Sequence, residues 1–311
     1  MNDIKIGLFG AGYFGNFHLN NLLNTPFDVI GFFDADEKRS AEIEKTYNVK
    51  SYSDPTKLML DCDAIDITTP TSSHFQLIKK ALSLGKHVFV EKPMTFDTTQ
   101  AKEILQLVSG TNLKLQVGHI ERYNPVTQDL GLENETIIHI EANRLSTYNP
   151  RGTDVSVIFD LMIHDIDLIL YFIKGKVATI NASGINKYGT NLEFATTNIL
   201  FENGTTASLT SSIIHPYLER TMKIWTDRRF IELDLATKKI KIIEYLDSPK
   251  KDNKIIDNEI ILKKDTNNSI FDELNGFYYS IVNNTKTRVS VKDGYDTVKL
   301  AEDILKTIHN R

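Results

Sequence analysis

The chain has 311 residues, enough for two domains of roughly 150 residues each and for a substantial core without covalent staples. Its 36 basic and 41 acidic residues leave a net charge of −5, which argues against a general nucleic-acid binder but allows a local basic pocket. The lone cysteine, Cys62, rules out an intramolecular disulfide and a cysteine-based zinc site, and it fits a reducing cytosol. The start of the chain carries no basic leader, and the apolar stretch at residues 168–173 is far too short to span a bilayer, so a cytoplasmic protein with no membrane partner is expected.

The first third alternates two periodicities. Residues 4–9, 29–33, 64–68, 87–90 and 113–117 are short, β-branched-rich apolar runs bounded by turn residues, as buried strands are. Between them, residues 13–23, 37–47, 73–84 and 98–108 carry apolar side chains at helical spacing. Phe75, Ile78 and Leu82 share one face, and Gly85 stands where a helix stops on a left-handed residue. This alternation predicts a doubly wound parallel sheet. After Pro125 the pattern changes. A strand is expected at 136–145, a helix at 160–173, and strands at 177–186, 196–201, 206–214, 221–226, 230–235 and 240–245. Asn203-Gly204 marks a hairpin among them. Residues 248–258 read as an exposed loop, and helices at 270–282 and 295–308 close the chain. The fold expected is α/β: a Rossmann domain over residues 1–122, then an α+β domain over residues 123–311 with a large, mostly antiparallel open sheet. Such a sheet suggests a homodimer or homotetramer.

Gly10-Ala11-Gly12-Tyr13-Phe14-Gly15 is a GxGxxG that follows the first strand and opens the first helix. Gly10 permits the tight turn, Gly12 lets backbone approach a pyrophosphate at the helix N-terminus, and Gly15 lets helix and strand pack closely. Asp34 ends the second strand, near the expected spacing of about 20 residues. A carboxylate there accepts ribose hydroxyls and repels a 2′-phosphate, which favours NAD. Lys38 and Arg39 nearby keep NADP open.

Four further segments collect reactive side chains: Thr69-Pro70-Thr71 with His74; Glu91-Lys92-Pro93; Gly118-His119-Ile120-Glu121-Arg122-Tyr123-Asn124-Pro125; and Asp160-Leu161-Met162-Ile163-His164-Asp165-Ile166-Asp167. The first three fall at carboxyl ends of strands, where open α/β sheets bind ligands. Asp160 and His164, four apart, share a helix face. His74 and His119 are balanced between packing and ligand contact. Trp225 and the Tyr278-Tyr279 pair read as packing residues.

Together these segments resemble the Gfo/Idh/MocA oxidoreductases over essentially the whole chain. The resemblance implies hydride transfer between NAD(P) and a sugar or polyol carbon. It places Lys92 at the hydroxyl under oxidation, Glu91 toward the cofactor ribose, and Thr69 and Pro70 beside the nicotinamide. Asp160 and His164 complete the site, Asp167 matches the last acidic position of the helix motif, and the Lys92–Pro93 bond is expected to be cis. Tyr13, Phe14 and His74 join the cofactor contacts.

An alcohol oxidation needs a base for the O–H proton. His164 suits that role near neutral pH, with Asp160 steering its ring. Lys92 either stabilises the developing alkoxide or is itself the base. No metal is required. The Gly-His-x-Glu-Arg-Tyr-Asn-Pro and Asp-Leu-Met-Ile-His-Asp-Ile-Asp segments are similar to those of the subgroup acting on nucleotide sugars, which implies oxidation at C3 of a substrate such as UDP-N-acetylglucosamine and a partner aminotransferase for the 3-keto product. Arg122, Tyr123, Asn124, Arg144 and Arg151 are the candidate substrate contacts, the arginines for a diphosphate. The alternative for the arginines is local pairing with Glu121 and Asp154. The other functions to be separated are a free polyol or aldose dehydrogenase, an NAD-dependent glycosidase and a non-catalytic nucleotide-sensing regulator.

Overall fold

A computed structural model of the chain describes residues 4–148, 155–246, 256–263 and 268–310. It divides into two compact units: residues 1–120 with 268–298, and residues 121–267 with 299–311.

The first unit is built on β1 (Lys5–Phe9), β2 (Asp28–Phe33), β3 (Ala64–Ile67), β4 (His87–Glu91) and β5 (Leu115–Gly118), paired in the order β2-β1-β3-β4-β5 with every neighbour parallel. Outside β2, Ser51 makes a single parallel bridge to Phe32. The sheet therefore has the doubly wound Rossmann order with its third strand reduced to one bridge. All four residues of β3 are buried, as expected of a parallel strand covered on both faces. The helices are α1 (Tyr13–Leu22), α2 (Glu37–Tyr47), α3 (Pro55–Asp61), α4 (Thr71–Ser83) and α5 (Thr98–Val108). Local chemistry fixes their starts. Asp36 accepts the Lys38 and Arg39 N–H groups, Asp54 accepts that of Thr56 with Pro55 following it, and Asp97 accepts that of Gln100. The short helix α3 was not among the expected elements. Cys62 follows it and is buried.

The second unit carries an eight-stranded sheet of β6 (Ile137–Leu145), β7 (Val177–Ile185), β8 (Phe194–Phe201), β9 (Thr206–Ser212), β10 (Glu219–Thr226), β11 (Arg229–Asp234), β12 (Lys239–Tyr245) and β13 (Ile256–Lys263), in the order β13-β12-β11-β10-β6-β9-β8-β7. Only β6 and β9 pair parallel. Ala195, Thr197, Ile199 and Phe201 of β8 alternate with more exposed neighbours, so one face of the sheet is covered and the other more open. A π-turn (Ile158–Met162) leads into α6 (Ile163–Phe172), which packs on β6 and β9.

Two expectations change. Residues 256–258, read as part of a loop, begin β13; the remainder of that stretch lies outside the described residues. The expected contiguous domain 123–311 also loses a segment to the first unit. Within that segment, Leu274, Phe277 and Tyr278 of α7 (Ser269–Val282) join the core formed by Leu8, Leu19, Phe27, Phe32 and Phe89. The Phe277 ring lies 6.0 Å from that of Phe27 and 5.8 Å from that of Phe89. Burying such a ring contributes about 1.5–3 kcal/mol, which keeps α7 with the sheet despite its distance along the chain. The division then falls inside α8 (Val291–His309). Among the described residues, no helix is long and apolar enough to cross a membrane.

Candidate active site

The end of β1 forms a cradle. Gly10 has φ of +91°, and a Cβ on it would lie 2.8 Å from the Thr69 backbone nitrogen, so the turn requires glycine. A Cβ on Gly15 would come within 1.9 Å of the Gly10 carbonyl oxygen. Gly12 differs: nothing lies within 4 Å of where its Cβ would stand. It opens α1 with no side-chain hydrogen bond at the cap. Open space before a helix start that no side chain caps fits the pyrophosphate of a dinucleotide in both shape and charge. Tyr13 and Phe14 flank this space, 75% and 60% exposed. Asp34 follows β2, with one carboxylate oxygen accepting the Ala11 N–H at 2.7 Å and the other accepting that of Asp36 at 2.8 Å. The Arg39 guanidinium donates to both oxygens, at 3.2 and 3.3 Å. The carboxylate expected to face a ribose thus also braces the glycine turn and carries a cationic neighbour.

The end of β4 carries Glu91 and Lys92, both partly buried, and a cis Lys92–Pro93 bond. Glu91 is held from beneath. The ring of His18, on α1, bridges two carboxylates: Nδ1 lies 2.8 Å from Asp66 of β3, and Nε2 lies 3.0 Å from Glu91. Burial alone would lower the His18 pKa, but the two carboxylates outweigh it and raise it well above the usual value. Burial pushes the Asp66 carboxyl up against the pull of His18. For Glu91 the hydrogen bond and charge of His18 overcome burial and hold it below the usual carboxylate range. The other Glu91 oxygen accepts the Lys92 N–H at 3.1 Å.

His18 and Asp66 were not among the expected site residues. The signal was present: an acid inside the apolar run Ala64-Ile65-Asp66-Ile67 must find a partner when that strand is buried. Thr69 is partly buried and Pro70 exposed at the start of α4. His74 is a correction. Its ring is 1% exposed and lies between the Thr69 and Pro93 carbonyl oxygens, with ring nitrogens 2.8 and 2.9 Å from them, so it is packed between two turns rather than presenting a nitrogen to a cofactor. Burial lowers its pKa, and the neutral ring has one N–H to give.

In the second unit, Asp160 lies in the π-turn and His164 in the first turn of α6, both partly buried. The expected regular helix through residue 160 is therefore replaced by a wider turn, a feature that often marks functional positions. The next two acids of the motif serve another purpose. Asp165 takes the Arg144 guanidinium through Nε and Nη2, at 2.8–3.2 Å, while Arg144 Nη1 reaches Glu121 at 2.9 Å. Asp167 takes Arg122 in a fork of 2.8 and 2.6 Å, with the Tyr171 ring 4.8 Å from the guanidinium carbon. Both arginines are 3% exposed. Burial pushes the Asp165 carboxyl up against Arg144, whereas Arg144 and Asn124 overcome burial at Glu121 and hold it low. Asn124 donates to Glu121 and to the Leu235 carbonyl, and Tyr123 is 4% exposed. The expected diphosphate contacts Arg122 and Arg144 are therefore buried ion pairs, and Asn124 is part of their frame. Charges buried this deeply are retained in a core only when paired. Arg151 lies outside the described residues. Among the described residues, no group of three or more His, Cys, Asp or Glu is placed to hold a metal.

A parallel Rossmann sheet with a glycine cradle, together with a separate open-sheet unit, is the construction of an NAD-binding oxidoreductase. Residues 4–119 match the oxidoreductase family with an NAD-binding Rossmann fold, and residues 138–232 match the GFO/IDH/MocA C-terminal domain. The chain belongs to the Gfo/Idh/MocA family of oxidoreductases. It is 31% identical to the UDP-N-acetylglucosamine 3-dehydrogenase of Acidithiobacillus ferrooxidans, over 78% of this chain and 77% of that protein. The solved structure of that dehydrogenase superposes with a TM-score of 0.92, covering 100% of this chain and 99% of the other at 26% identity. The scyllo-inositol 2-dehydrogenase (NAD(+)) of Bacillus subtilis is 26% identical over 70% of this chain and 69% of its own length. A levoglucosan dehydrogenase solved with NADH shares the fold, with a TM-score of 0.88 at 18% identity, covering 99% of this chain and 98% of the other.

Proposed function

We propose that this oxidoreductase oxidises the C3 hydroxyl of a nucleotide sugar such as UDP-N-acetylglucosamine to the 3-keto sugar, using NAD. The observation that carries the reading is the whole-length likeness to the Acidithiobacillus ferrooxidans 3-dehydrogenase, at a TM-score of 0.92. Bound NAD would supply the acceptor for the hydride that leaves the sugar carbon. The uncapped start of α1 at Gly12, with Tyr13 and Phe14, holds the pyrophosphate, and Asp34 takes the adenosine ribose. Thr69, Pro70 and Glu91 line the nicotinamide end. Lys92 holds the reacting hydroxyl and stabilises its oxygen as negative charge develops. His164 takes the proton, with Asp160 orienting its ring. The 3-keto product suits an aminotransferase that makes a 3-amino sugar, and the open sheet suits a homodimer or homotetramer.

A second reading, a dehydrogenase of a free polyol, is favoured by the loss of Arg122 and Arg144 to buried ion pairs. The test is NADH formation with UDP-N-acetylglucosamine, pulled by an aminotransferase and amino donor, beside free N-acetylglucosamine and myo-inositol. Turnover only with the nucleotide sugar supports the first reading. Turnover only with free sugar or polyol replaces it with the second. In either case Lys92→Ala and His164→Ala are each expected to lower kcat by about 10²–10⁴-fold while NADH still binds; near-normal turnover in both removes the assignment.

A further inference from the structure

The His18 bridge between Asp66 and Glu91 is a proton-holding cluster that hydride transfer does not itself require. His18 is 2% exposed and Asp66 fully buried. Ionised carboxylates only accept hydrogen bonds, and a neutral imidazole has one N–H to give. Contacts of 2.8 and 3.0 Å on both ring nitrogens therefore need a second proton in the cluster, on the ring or on a carboxyl. In every such arrangement the three groups together carry one negative charge. Asp66 faces the ring from β3 and Glu91 from β4, Lys92 follows Glu91 along the chain, and the Phe89 ring stands edge-on with its centroid 5.6 Å from that of the imidazole. Glu91 is confined on its other side as well. A Cβ on Gly118 of the adjacent strand would lie 2.8 Å from Oε1, so the glycine leaves just enough room for the carboxylate in this position. The remaining Glu91 oxygen holds the Lys92 amide.

We propose that His18 is a positioning residue for the oxidation: by gripping Glu91 it fixes the Glu91–Lys92 peptide and so sets where the Lys92 side chain meets the substrate hydroxyl. The inference rests on the assignment of Lys92 made above. It separates His18 from a residue that only fills the core, because the two ring nitrogens have different duties. Nε2 serves the turn that carries Lys92, and Nδ1 anchors the ring to β3.

Those duties are tested apart by two amides. In His18→Gln the amide nitrogen reaches the place of Nε2 and keeps a donor for Glu91. In His18→Asn it reaches the place of Nδ1 and keeps a donor for Asp66 alone. Both lose the ring, so both lower the melting temperature. The expected result is that the Gln variant keeps kcat within about threefold, whereas the Asn variant loses about 30-fold or more with substrate KM little changed, the scale of a displacement of roughly 1 Å. Equal kcat in the two variants overturns the proposal while a dead Lys92→Ala leaves the Lys92 assignment standing; an active Lys92→Ala overturns both. A second measurement needs neither turnover nor a folded variant. Imidazole ¹⁵N spectra of the wild-type protein are expected to show the His18 ring without the ordinary titration near pH 6.5 and with both ring nitrogens hydrogen-bonded. A ring that titrates there as a free histidine would mean that it does not grip Glu91.

Discussion

Asp34 has three claims on one carboxylate: the Ala11 N–H, the Asp36 N–H and the Arg39 guanidinium. A carboxylate has about four acceptor positions, so little capacity is left for ribose hydroxyls unless Arg39 yields. The Asp34 side chain is 7% exposed, but Arg39 is 44% exposed and also reaches Asp36 at 3.5 Å, so Arg39 can turn to solvent while the two backbone N–H groups still hold the carboxylate. The two residues therefore act in opposite directions on cofactor choice. Asp34→Ala is expected to weaken NADH binding about tenfold or more, the worth of a lost charge-assisted hydrogen bond, and to narrow the preference over NADPH. Arg39→Ala is expected to weaken NADPH alone. Fluorescence titration of both cofactors against both variants checks this, and unchanged affinities in Asp34→Ala would remove Asp34 from the ribose site.

At the scale of the element, α1 is positioned by glycines with different physical reasons. Gly15 has no room for a methyl against the Gly10 carbonyl, while Gly12 has open space. Gly15→Ala is expected to destabilise the first unit by about 1–3 kcal/mol, as overpacking does, and Gly12→Ala to melt near the wild-type temperature while losing NADH affinity. Calorimetry beside a binding titration separates the two; a Gly12→Ala protein that binds NADH normally would mean that the pyrophosphate does not approach there. These glycines were legible in the sequence because a strand, a turn and a helix succeed one another within a dozen residues. Apart from β13, the strands of both sheets were legible for the same reason, since their periodicity is local. The π-turn was not, because an inserted turn of backbone leaves no mark on the spacing of apolar side chains. β13 was masked by its polar start, Ile256-Asp257-Asn258-Glu259. The pairing of Arg144 with Glu121 is the alternative the sequence offered; the roles of Arg122 and His18, and the Asp165 partner of Arg144, were beyond reach for a different reason. Each is fixed by partners 21 to 73 residues away, and nothing local says which carboxylate a buried cation will meet.

Across the whole molecule, buried charge sets how stability follows pH. Glu91 and Glu121 sit below their usual range, so the stability they supply is present above about pH 4.3, their unfolded value, and is lost as pH falls through their native values. His18 sits above its usual value, so its contribution is complete below about pH 6.5 and is lost as pH rises through the native value. Asp66 and Asp165, held up by burial, likewise favour the folded chain less as pH rises above about 3.9. The melting temperature is therefore expected to peak in mildly acidic solution and to fall on both sides. A midpoint that is flat from about pH 6 to pH 9 would mean that His18 titrates alike in folded and unfolded chains.

The return of residues 268–298 to the first unit has a consequence for synthesis. The Rossmann strands leave the ribosome early, yet Phe277 and Tyr278, which complete their core, follow only after residues 121–267 of the second unit have been made. Gln116 meets the Glu273 carbonyl across 157 residues of chain, a stretch that takes about 8–30 s to translate. During that interval the nascent sheet presents an apolar slot beside α1 to the crowded surroundings of the ribosome. The unit begun first must wait for most of the second to be made, and its exposure to wrong partners is governed by the speed of translation through that stretch.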